Sequence, residues 1–107
     1  MILDKLKERY RNKQIKNHSE ILVKEFDTHL MRIQFMPNQK RLYSLQLEFF
    51  KRKLEQMIPE HAYRCYRKLE TVCRVCDLEL PISLLELKNL KDYRVEQMLN
   101  DLNKDFE

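Results

Sequence analysis

The sequence predicts an all-α fold, a compact bundle of four to five helices. Three observations carry that expectation. The 107 residues contain no glycine, whereas tight hairpin turns and most phosphate-cradling loops draw on glycine for positive φ. The chain is rich in Leu, Lys, Glu and Arg, all good helix formers. Apolar residues recur at helical spacing between three prolines, Pro37, Pro59 and Pro81.

Residues 2 to about 19 offer only Leu3, Leu6 and Tyr10 as a stripe at i, i+3, i+7, and the second half of this stretch is almost wholly polar. Such a helix is exposed or dependent on a partner. From about 20 to 35, Leu22, Val23, Phe26, Leu30 and Ile33 form a proper core face. Nothing between the two pieces breaks a helix, so one long N-terminal helix is an option. Asn17 with Glu20, or Ser19 alone, offers a cap for a fresh start as the other.

Pro37 ends this region. The next helix, roughly 38–57, carries Leu42, Tyr43, Leu45, Leu47, Phe49, Phe50, Leu54 and Met57. At about 100° per residue these cover roughly 220° of its circumference, which predicts a central helix covered by two or more neighbours. Pro59 suits the first position of the following helix, with Glu60 favourable in its first turn. After Asp77 the stretch "LELPIS" reads as a connector. Ser83 and Glu86 then form a capping box, with Ile82 and Leu87 placed for a hydrophobic staple. A last helix is expected to about 103, contributing Leu84, Leu87, Leu90, Val95, Met98 and Leu102. No internal repeat or long linker interrupts the sequence, so residues 1–107 read as one helical domain.

The segment "HAYRCYRKLETVCRVC", residues 61–76, holds one histidine and all three cysteines. On a continuous helix His61, Cys65, Cys73 and Cys76 fall on one face with Ala62, Tyr66, Leu69 and Val72. Zinc needs four ligands around one point, yet His61 and Cys76 stand about 22 Å apart along a straight helix. The pair Cys73-x-x-Cys76 lies toward a helix C-terminus, where the dipole does not favour a thiolate. Cysteine as a small buried hydrophobe is therefore the expectation. A metal site made by Cys73 and Cys76 of two chains is the alternative. No cofactor is predicted.

The net charge of +4 conceals an asymmetry, since residues 1–76 carry +8 and residues 77–107 carry −4. Residues 5–16 hold six bases against Glu8. Two readings follow: an internal charge match between packed helices, or an anionic partner. Arg9, Arg11, Arg64, Arg67, Lys68 and Arg74 are the candidates for contacting nucleic-acid phosphates. No helix-turn-helix glycine, zinc finger or RNA-binding sheet motif accompanies them.

His18, His29 and His61 are scattered, the acids lie beside bases or near helix ends, and no nucleophile has a visible His and Asp companion. No catalytic constellation is predicted. Absent an apolar run of membrane-spanning length, a signal-peptide pattern or an even cysteine count, a cytoplasmic protein without membrane contact is expected. The function expected is protein–protein interaction, as adaptor, assembly subunit or inhibitor. Leu3, Leu6 and Tyr10 would serve as partner-binding residues, and the partner would be another protein or a second copy in a homodimer. A small nucleic-acid-binding regulator is the alternative.

Overall fold

The computed structural model describes residues 2–92. Among these there are helices, turns and no strand. The N-terminal alternative resolves in favour of one helix: α1 runs Ile2–Phe35 without a break at Asn17 or Ser19. At 1.5 Å per residue its 34 residues span about 51 Å. It is followed by α2 (Gln39–Gln56) and α3 (Pro59–Cys76). Residues 84–92 form a fourth helix, α4. Val95, Met98 and Leu102 lie outside the described residues.

Each boundary has a local cause. Pro37 follows the end of α1, where it cannot continue the helix. Asn38 then takes a left-handed conformation (φ 60°) and its carbonyl accepts from the Leu42 N–H at 3.2 Å. Pro59 opens α3, as expected. Asp77 closes it, again left-handed (φ 56°), and the Leu78 N–H donates to the Cys73 carbonyl at 2.8 Å. In a chain without glycine, Asn and Asp take these two left-handed positions, because they tolerate that region best of the other residues. Ser83 caps α4, with its Oγ accepting the Glu86 N–H at 3.1 Å. The staple partners Ile82 and Leu87 are both buried.

The core lies among residues 19–35 of α1, α2, α3 and the start of α4. Leu22, Phe26, Leu30 and Ile33 of α1 pack with Tyr43, Phe50 and Leu54 of α2 and with Ala62, Cys65, Tyr66, Leu69 and Cys73 of α3. Phe26 meets Phe50 edge-on, ring centroids 5.1 Å apart, and Tyr43 stacks on Phe50 at 5.9 Å. The wide apolar arc of α2 is covered less fully than its pattern predicts. Leu42, Leu47 and Phe49 are partly buried, while Leu45 remains 76% exposed. Two neighbouring helices cover about two faces of a third, and Leu45 falls beyond both.

Candidate protein-interaction surface

The first half of α1 extends past the bundle. Every residue from 2 to 18 is exposed apart from half-buried Ile15, and burial begins at Ser19. Leu3, Leu6 and Tyr10 are each more than half exposed. Together they form the apolar stripe predicted for this segment.

The stripe does not stop at Tyr10. Taking 100° per residue, Leu3, Leu6, Tyr10, Ile21, Met31 and Phe35 fall within about 80° of arc, and Ile2 at its edge. All seven are at least half exposed. The buried residues Ser19, Leu22, Phe26, Leu30 and Ile33 are centred about 180° away. α1 thus carries two apolar faces, one against α2 and α3 and one turned outward along its whole length. The continuation into Ile21, Met31 and Phe35 was readable by the same helical wheel once α1 was known to be a single helix.

The basic candidates divide into two groups. Ser19 contacts His61 and Asp27 contacts Lys68, so α3 runs alongside residues 19–35 of α1. Arg9 and Arg11 precede Ser19 and stand about 15 and 12 Å along the axis from that level. Arg64, Arg67 and Arg74 are exposed on the outward face of α3, and Arg74 lies about 35 Å along the axis from Arg9. Lys68 pairs with Asp27 at 3.1 Å and Arg67 with Glu70 at 3.3 Å. The structure does not gather these six bases into one track.

Cys65 and Cys73 are buried and Cys76 is half-buried, all three as free thiols. Burial pushes the Cys65 thiol up to about 11 and also raises Cys73. Cys73 donates to the Tyr43 hydroxyl at 3.5 Å, and Tyr43 donates to the Glu79 carbonyl. Among the described residues no three His, Cys, Asp or Glu side chains converge as metal ligands.

The structure supplies one pairing that sequence spacing could not: Ser19 Oγ lies 2.7 Å from His61 Nδ1. The hydroxyl also accepts the Ile58 N–H at 2.9 Å, so one oxygen serves both His61 and the backbone ahead of α3. Both side chains are under 5% exposed. The shared hydroxyl joins α1 both to the α2–α3 junction and to the first turn of α3. Lys91 is likewise buried and donates to the carbonyls of Glu55 and Met57 at 2.6 and 2.7 Å.

Beside the end of α1, an open groove of about 430 Å³ is lined by Arg32, Met36, Pro37, Leu42 and Leu45 among others. Among the described residues no helix is long and apolar enough to cross a membrane. No protein family, curated protein or solved structure matches the chain. The surface itself is therefore the basis for a functional reading.

Proposed function

We propose that this protein is a non-catalytic helical module that works by protein–protein interaction, presenting the outer face of α1 to a partner helix. The observation that carries the reading is the exposed stripe of Leu3, Leu6 and Tyr10 on a helical segment that projects beyond the core. An apolar stripe about 100° wide or less is the shape by which one amphipathic helix docks against another. Isolated surface leucines are ordinary, but an aligned row is a recognition surface.

The test compares the intact chain with the triple variant Leu3→Asp, Leu6→Asp, Tyr10→Asp. All three residues are exposed, so circular dichroism and thermal unfolding should change little. Proteins cross-linked to the wild-type chain in its own cell extract, identified by mass spectrometry, should be lost from the variant. Identical cross-linked sets from both chains would remove this face from the reading.

A further inference from the structure

The outer face of α1 has its apolar residues grouped at the two ends. Ile2, Leu3, Leu6 and Tyr10 occupy one end, Met31 and Phe35 the other, and Ile21 stands between them. Lys13, Asn17, Lys24 and Thr28 fill the rest of the same arc. The clusters are about 40 Å apart along the helix. A partner helix with one central apolar patch would miss both ends.

We propose that the occupant is a second copy of this chain, with the two α1 helices antiparallel and Leu6 of each opposite Met31 of the other. This deepens the interaction reading above and rests on it. In that register Ile2 stands opposite Phe35 and Asn17 opposite Glu20, so each N-terminal cluster lies on the other copy's C-terminal one. The same patch serves both chains, as a two-fold interface requires. Ile2 also arrives beside the groove of Met36, Pro37, Leu42 and Leu45.

Charge follows the same register. Lys16 comes beside Glu20, and Arg9 beside Asp27, which also holds Lys68. Two of the bases in residues 5–16 thereby meet acids of the second half of α1. Two contacts are unfavourable, Lys13 against Lys24 and Lys7 near Arg32. The seven apolar side chains expose on the order of 900 Å² per copy, close to the roughly 800 Å² that each partner of a standard interface covers. That exposed area sets the upper limit of what the pairing buries.

Sedimentation of the intact chain up to about 100 µM should show a dimer. Leu6→Asp and Met31→Asp should each weaken it about tenfold or more, since each loses one apolar contact twice per dimer. Lys13→Glu should tighten it several-fold by converting the facing lysines into an opposite pair. In a Cys76→Ser background, Leu6→Cys combined with Met31→Cys should cross-link under mild oxidation, and either alone should not. A monomer throughout, cross-linking by Leu6→Cys alone (a parallel pair), or no response to Lys13→Glu would overturn the proposal. A monomer whose cross-linked partner set still depends on Leu3, Leu6 and Tyr10 would end self-pairing while leaving the interaction reading in place.

Discussion

Ser19 on α1 and Lys91 on α4 hold the same corner of the chain: the serine hydroxyl accepts the Ile58 N–H, and the lysine ammonium donates to the Met57 carbonyl. Met57 and Ile58 are the two residues between α2 and α3. A helix end leaves backbone groups without intrahelical partners, and a buried one must find them elsewhere. Here two side chains distant in sequence supply them, which ties all four helices to one point.

Removing either clamp should cost stability. Ser19→Ala deletes the acceptor for Ile58 and the hydrogen-bond partner of His61, two bonds at a buried site, for an expected loss of about 1–3 kcal/mol. Lys91→Met keeps most of the stem's volume but strips donors from two carbonyls. Hydrogen bonds from a charged donor are the stronger kind, although the ammonium's own desolvation offsets part of the gain, so about 2 kcal/mol is expected. Urea unfolding of both variants and of the double variant checks this. Because the two act on adjacent residues, the double loss should differ from the sum of the single losses by at least about 0.5 kcal/mol. Strict additivity would show that the corner is not a shared unit.

Stability should fall in alkali. The Cys65 thiol is fully buried and raised from its ordinary value near 9 to about 11. Between these values the folded chain keeps a proton that the unfolded chain releases, so stability decreases as pH rises through 9 towards 11. The drop attributable to Cys65 is on the order of 2–3 kcal/mol. Burial raises Tyr43, Tyr66 and Cys73 in the same direction. Urea midpoints at pH 8 to 11 under reducing conditions should show the decline, with a shallower slope for Cys65→Ala. An unchanged slope in that variant would remove Cys65 as a cause.

Much of the architecture is legible in local sequence because its causes are local. Pro37 and Pro59 act within one turn of their positions, and the Ser83 cap and Ile82–Leu87 staple span six residues. The cysteine face of α3 follows from its helical period alone, although Tyr63, which the same period puts on the opposite side, is partly buried against the core. What escaped detection depends on how helices align with one another. Ser19 and His61 are 42 residues apart, and nothing near either names the other. Lys91 looks like any surface lysine until the fold brings it to the end of α2. The outer stripe of α1 was visible as far as Tyr10. Its continuation to Phe35 depends on α1 crossing Asn17 and Ser19 unbroken, and the polar residues around them obscure that locally.

The basic surface yields the last prediction. Phosphate binding strengthens as more bases follow one backbone path, and each lost contact flattens the salt dependence. Here Arg67 and Lys68 already have acidic partners, and Arg9 and Arg74 are separated by about 35 Å along the axis. Duplex DNA or RNA should therefore bind no tighter than the non-specific range of about 10⁻⁴–10⁻⁶ M at physiological salt. Arg64→Glu with Arg67→Glu should weaken even that binding. Both residues are exposed and the Arg67–Glu70 pair is a surface contact worth little, so thermal stability should barely change. Fluorescence anisotropy across a salt series, with a melting curve for the double variant, measures both quantities. Nanomolar binding that falls steeply with salt and disappears in the double variant would make the outward face of α3 the working surface and displace the role assigned to α1.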